Sequence, residues 1–273
     1  MHPLRDLIRN QTLMSDLANS YGTPSYVYDQ TRLNHNLSKL NSILKTYFEK
    51  YHICYAVKAN SNPNLLKIMR STLPDMGGDC SSPGEIYAAQ RSGIKLRNCI
   101  YTGNYESISD LSSALKQKCY INLDDVTSFN RLLQVGLPEH ISFRLNPGFG
   151  KGTFSQITTA GENAKFGIPA EKIVSAYRKA QDAGVIRFGL QCMAGSGNLD
   201  ENYFIELLTA ITHYTNQIES ELNIQFEFIS MGGGLGIPYH DEEISLNYDH
   251  LFSRLSQVLY KAYPEKTKAP ALW

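Results

Sequence analysis

The stretch CYAVKAN, residues 54–60, ends an otherwise apolar or small run on a lysine. An ammonium in such a place pairs with an anion, gives up its proton, or becomes a covalent link to a carbonyl carbon. If the run is a strand, side chains alternate, so Cys54, Ala56 and Lys58 share one face and Tyr55 and Val57 the other. That alternation predicts an inward Lys58; a solvated strand-end lysine is the plainer alternative. Far along the chain, SMGGGLGIPY carries Gly232, Gly233 and Gly234 directly after an apolar run. Successive glycine N–H groups can converge on one anion with no side chain in the way. The segment AGSGN, residues 194–198, offers a second rim with the Ser196 hydroxyl as a further donor. In ISFRLNP, alternation separates Ile141, Phe143 and Leu145 from Ser142, Arg144 and Asn146, which predicts an inward Arg144. An inward guanidinium needs a carboxylate or phosphate, and Asp79 is a candidate partner, in a pair that is either structural or catalytic.

These residues need a scaffold that brings widely separated strand ends to one place. Eight β-like runs recur: HICYAVKA, MGGDCSS, CIYTG, CYINLDD, ISFRLNP, FGLQCMAGS, FEFISMGGG and APALW. Between them lie segments with apolar spacing of three and four, such as Leu33, Leu37, Leu40, Ile43 and Tyr47, the pattern of a helix with one buried stripe. Ser82, Pro83 and Glu85 read as a helix start and Gly93 as its end, and Asn62 before Pro63 reads as another start. Strict alternation of strand and helix implies a parallel sheet with right-handed crossovers, and eight units favour a closed (β/α)8 barrel. In such a barrel the chemistry lies at the C-terminal strand ends, where the sequence sets Lys58 and Asn60, Asp79 and Ser81, Asp124 and Asp125, Arg144 and Asn146, Ser196, and the three glycines. A phosphate cradle late in a barrel whose first strand ends in an inward lysine suits pyridoxal 5'-phosphate, gripped at its phosphate by glycines and at its aldehyde by the amine. The loop 151–165, rich in Gly and Thr, is a candidate lid or simply a long surface connection.

Composition narrows the classes. The 273 residues are 42% hydrophobic and 19% charged, with 26 basic against 26 acidic side chains, so no charge excess recruits nucleic acid or a membrane surface. No apolar run is long enough to span a bilayer, and the first residues lack the order of a secretory signal, which predicts a cytoplasmic protein. Five cysteines without a C-x-x-C pair argue for reduced thiols rather than a disulfide framework or zinc cluster.

From about residue 22 onward the chain resembles the fold-type III pyridoxal-phosphate decarboxylases. YAVKANSNPNLLKIM is similar to the family's cofactor-lysine motif, GTPSYVYD to its N-terminal segment, RLNPGFGKG with KFGI to its fifth-strand region, and GGGLGIPY to its phosphate motif. GGGLGIPY together with GTPSYVYD points to the diaminopimelate branch over the ornithine and carboxynorspermidine branches. The resemblance implies an alanine-racemase-type barrel over residues 29–273, preceded by a segment 1–28 that in the family packs with a β-rich C-terminal domain. It implies Lys58 as the Schiff-base residue and Asp79, Arg144, Met193, Ser196, Gly232, Gly233 and Gly234 as cofactor contacts. The implied reaction is decarboxylation of meso-diaminopimelate to L-lysine by a homodimer.

Two departures stand out. Where the family stacks a histidine on the cofactor ring, LQCMAGS has Met193, with Gln191 replacing an upstream histidine, and a thioether packs but donates no charged hydrogen bond. The family also continues beyond its eighth strand into an acidic partner for the ring nitrogen, a substrate arginine and the C-terminal domain, none of which precedes Trp273. The expectation is a barrel incomplete at its eighth unit and a chain impaired or inactive alone. A cofactor-binding barrel without decarboxylase activity, racemase-like or cofactor-handling, and a non-catalytic remnant are the competing readings.

Overall fold

The computed structural model describes residues 10–152, 160 and 165–273. Eight strands, all parallel to their neighbours, form the wall: β1 (Cys54–Ala56), β2 (Gly77–Cys80), β3 (Ile100–Gly103), β4 (Tyr120–Leu123), β5 (His140–Asn146), β8 (Arg187–Cys192), β10 (Phe226–Ser230) and β11 (Ala271–Leu272), hydrogen-bonded in that order. Three two-residue strands are accessory. β7 (Ile168–Pro169) pairs with β5, and β6 (Lys151–Gly152) pairs with β9 (Gly195–Ser196). Each predicted run contains one wall strand.

The helices start where their caps dictate. α1 (Gln11–Tyr21) and α2 (Gln30–Tyr47) precede the first strand, and α3 (Pro63–Thr72), α4 (Pro83–Arg91), α5 (Ile108–Lys116), α6 (Val126–Leu133), α7 (Ala170–Asp182), α8 (Glu201–Leu222) and α9 (Tyr248–Ala262) follow in turn. Asn62 caps α3 and Ser82 caps α4, their side-chain oxygens accepting backbone N–H groups of Asn64 and Glu85. Gly93, just past α4, takes the left-handed φ of +81° that a helix exit favours in glycine. Asp125 and Asn247 cap α6 and α9 in the same way.

The sheet closes on itself. His52 donates its backbone N–H to the Leu272 carbonyl at 2.9 Å and Leu272 donates to the Lys50 carbonyl at 3.1 Å, which joins the last strand to the entry of the first. No helix follows β11 among the described residues, as expected, but this leaves no gap in the helical ring. Its place is filled by α2, which packs between α9 and α3. Leu44 and Phe48 are buried there, Phe48 meets Phe252 edge-on at 6.3 Å, and the Tyr47 hydroxyl donates to Asp249. Each of the eight wall strands is thus preceded by a helix.

Outward strand residues and inward helix residues form the main core. Phe143, Tyr177, Phe188 and Phe226 meet edge-to-face, and the Tyr177 hydroxyl accepts from the Phe143 N–H and donates to the Gly189 carbonyl, tying β5 to β8. Inside the barrel, the end holding the strand N-termini is plugged by rings: Trp273 stacks on Phe228 at 4.2 Å, and Tyr120 and His52 each lie 4.7 Å from Trp273. Gly189 makes room for this plug, since a Cβ there would fall 2.1 Å from the Phe228 ring. Above it runs a polar layer in which Ser142 and Asn122 share a 2.6 Å hydrogen bond and Asn122 donates to Thr102 and Gln191. The opposite end is open and polar.

Candidate active site

β1 ends at Ala56, and residues Val57–Ala59 turn as a single 3-10 turn, with Val57 fully buried and Lys58 exposed. The expectation of an inward, buried Lys58 is corrected here, because period-two alternation stops at Ala56 and the tighter turn hides Val57 while releasing its neighbour. Lys58 still faces the rim. Asp79, which pairs in register with Ala56 on the adjacent strand, has a carboxyl raised by burial and pulled back first by the Lys58 charge and more weakly by Arg144. Asp79 Oδ1 is buried without a hydrogen-bond partner. The turn is braced from outside, since Asn60 donates to the Tyr28 hydroxyl at 3.0 Å and accepts from the Asn62 N–H.

Arg144 is inward as predicted, with 5% of its surface exposed. Its partner is Asp124, at 3.0 Å from Nη1, rather than Asp79. The reason is strand order: β5 touches β4, which Asp124 follows, whereas Asp79 lies on β2, three strand spacings or about 14 Å along the wall. Nη2 donates to the Met193 carbonyl at 3.3 Å, and the guanidinium lies 5.0 Å from the Phe166 ring centre. Burial raises the Asp124 carboxyl and the Arg144 charge pulls it back down. A buried pair of this kind is held by its own geometry, and removing one member leaves a charge whose stranding costs about 3–5 kcal/mol. Asp124 was legible as a strand-end acid; its pairing was not.

The glycine turn behaves as two structures in one. Gly232, Gly233 and Gly234 all have left-handed backbones, at φ +74°, +78° and +80°. A Cβ on Gly232 would fall 2.2 Å from the Cys192 carbonyl oxygen, and one on Gly234 would fall 2.3 Å from that of Gly195. At Gly233 an added Cβ meets nothing within 4 Å. The outer two glycines thus seat the turn on the β8–β9 connection while the middle one faces open space. The Gly232 N–H is used by the Ser230 hydroxyl, which leaves the N–H groups of Gly233 and Gly234 for an anion. The predicted second rim is present: Asn198 donates its backbone N–H to the Gly234 carbonyl and accepts from the Gly236 N–H, so 194–198 runs alongside the turn. Ser196 is exposed on that rim, and Met193 is half-buried against Gly232.

Asn198, which the sequence reading passed over, also carries a buried amide nitrogen without a partner. The signal available was its position in a glycine-rich segment, where an asparagine can serve two backbones. The expected lid falls largely on residues 153–159 and 161–164, outside the described residues.

The chain therefore gathers Lys58, Asp79, Arg144, Met193, Ser196 and the three glycines on one end of one barrel. β10 and β1 are separated by β11 alone, so the glycine turn and Lys58 stand about 10 Å apart at ordinary strand spacing. That span, an amine at one end, open glycine N–H groups at the other and an unpartnered buried carboxylate oxygen beside the amine fit a pyridoxal phosphate.

Comparison with known proteins bears on the same surface. Residues 34–273 match the family model described as pyridoxal-dependent decarboxylase, pyridoxal binding domain. The diaminopimelate decarboxylase of Thermoplasma acidophilum is 37% identical over 234 residues, covering 86% of this chain and 56% of that protein. Protein TabA of Pseudomonas amygdali pv. tabaci is 31% identical over 260 residues, covering 93% of this chain and 59% of that protein. Among solved structures, the diaminopimelate decarboxylase of Helicobacter pylori complexed with L-lysine superposes with a TM-score of 0.81 at 25% identity, covering 95% of this chain and 64% of that one. The chain thus spans less than two thirds of the length of these relatives.

Proposed function

The chain belongs to the pyridoxal-dependent decarboxylase family through its pyridoxal-binding domain, and from that premise we propose that it holds pyridoxal phosphate on the open rim and serves the decarboxylation of meso-diaminopimelate to L-lysine. The observation that carries this reading is one rim holding Lys58, the orphaned Asp79 oxygen and a glycine turn open at Gly233. When bound, the cofactor supplies an electron sink for the bond being broken.

The chain's own residues then divide the work. Lys58 would supply the amine that holds the cofactor's aldehyde and, when free, would carry a proton at its Nζ. Asp79, whose carboxyl feels the Lys58 charge, keeps one buried oxygen that no protein group satisfies and that would be available to a bound polar group. The N–H groups of Gly233 and Gly234 would receive the phosphate, with the exposed Ser196 hydroxyl on the neighbouring strand of the rim as a further donor. Arg144, fixed by Asp124 and by the Met193 carbonyl, positions the segment that carries Met193, whose thioether would be available to pack against the cofactor.

A cofactor-binding barrel without decarboxylase activity is the second reading, and a specific observation favours it. Gln191 is buried and accepts from Asn122, so the position is committed to the polar layer of the barrel instead of supplying an ionisable group. A homodimer and a cytoplasmic location belong to the same proposal. Exposed Tyr26 and Tyr239, at 93% and 82%, are consistent with surfaces covered in a larger assembly.

Mixing the protein with pyridoxal phosphate should give a saturable visible absorption band that Lys58→Ala abolishes while far-ultraviolet circular dichroism stays unchanged. A band that persists in the variant removes Lys58 from this role. Carbon dioxide release from meso-diaminopimelate, compared with ornithine and lysine, separates the two readings.

A further inference from the structure

At the opposite end of the barrel lies a cavity of ≈ 580 Å³ that the rim does not share. It opens where the end of α2, the entry to β1, the loop before β2 and the end of α9 meet, and its size is that of a small-molecule site. Its walls are mixed, and Ile53, Leu73, Tyr51 and Tyr260, half-buried there, supply the apolar and aromatic part. Its charges have both signs. Lys45, Lys266 and Glu49 line it, and none of the three has an ion-pair partner among the described residues, whereas Asp75 is already held by Lys95 at 2.9 Å. The Lys266 ammonium sits 4.8 Å from the ring centre of Tyr260, another lining residue.

The walls are also preorganised. The Tyr260 hydroxyl accepts from the Glu49 N–H at 2.8 Å, and the Tyr51 hydroxyl donates to Asn41 at 3.0 Å. Fixed rings beside unpaired charges of opposite sign match a ligand that brings a carboxylate, an ammonium and an apolar body.

We propose that this cavity is a second small-molecule site that binds a free amino acid with an apolar side chain, its carboxylate on Lys45 and Lys266, its ammonium on Glu49 and its side chain between Leu73 and Tyr260. The site adjoins the seam that closes the barrel. His52 lines it, stands at the entry to β1 and packs at 4.7 Å against Trp273. Lys58 follows the other end of the same strand. Occupancy is thereby placed to reach β1 from below without touching the rim.

The chain has a single tryptophan, so Trp273 emission reports the cavity through its contact with the lining residue His52. Titration of the full chain with L-phenylalanine should give a saturable emission change in the millimolar range, retained in Lys58→Ala. 3-Phenylpropionate, which lacks the ammonium, and phenethylamine, which lacks the carboxylate, should each bind about tenfold more weakly or worse. Lys45→Glu and Glu49→Lys, both at exposed positions that leave packing intact, should each weaken L-phenylalanine by a similar factor. Amide chemical-shift changes confined to Tyr51, Leu73 and Tyr260 would support the same site. No saturable change in either readout overturns the proposal, as does binding that is indifferent to both charge reversals, lost in Lys58→Ala, or equal for 3-phenylpropionate.

Discussion

Gly233 and Gly234 share a left-handed backbone but are held to it by different forces, and this separates stability from binding at single-residue resolution. Gly234→Ala meets both the conformational penalty and a backbone oxygen that would stand 2.3 Å from the new Cβ, so the β8–β9 connection must shift. Gly233→Ala meets only the conformational penalty, about 1–2 kcal/mol. Urea unfolding should show the larger loss for Gly234→Ala, while pyridoxal phosphate titration should show that Gly233→Ala, though better folded, weakens cofactor binding because its methyl enters the space facing the anion. Pyridoxal lacking the phosphate should not distinguish Gly233→Ala from the parent. The glycines and Lys58 were readable from residue type alone, since each does something only that residue type can do. Asp124 as the partner of Arg144 was not, because alternation says which face a side chain takes and nothing about which neighbouring strand presents the acid.

At the scale of elements, the strand starts carry a pH dependence of known sign. His140 opens β5, stacks on Tyr120 at 3.9 Å and has its pKa lowered by burial and then by the Arg187 charge. Arg187 is itself locked by a bidentate contact to Glu227 and a contact to Glu139. The unfolded chain takes up a proton near pH 6.5 that the folded His140 refuses, so the unfolded state binds more protons and stability rises with pH through the window below that value. His52, also lowered by burial, adds a contribution of the same sign. His140→Phe keeps the stack and cannot titrate, so its urea midpoint should change less between about pH 5 and pH 7 than that of the parent. A variant with the same slope would remove His140 from this effect. The helices themselves were legible because their caps are local: Ser82, Asn62 and Gly93 act within three or four residues of chain.

For the whole molecule, the helical ring makes the segment before β1 part of the barrel from α2 onward and leaves α1 outside it. α1 has no buried residue, whereas α2 buries Ile43 and Leu44 and leads into buried Phe48. A chain beginning at residue 30 should retain a cooperative unfolding transition close to that of the parent. One beginning at residue 50 loses the helix between α9 and α3 and should show no sigmoidal transition by circular dichroism. Two similar curves would mean that the ring closes without α2. The result also tests the proposed boundary near residue 28, just before the start of α2 at Gln30.

The amino-acid sequence by itself determined the order and kind of the wall strands and barrel helices, where the helices begin, and which residues could bind an anion or form a covalent link, because these follow from spacing and side-chain chemistry within a few residues. Tertiary structure alone decided that Asp124 and not Asp79 faces Arg144, that Lys58 is released into the open rim by a 3-10 turn, and that α2 stands in the eighth helical place. The first depends on which strands become neighbours in the sheet, the second on a turn that breaks the strand alternation, and the third on closure of the sheet through Leu272, a property of the whole wall that no local pattern encodes.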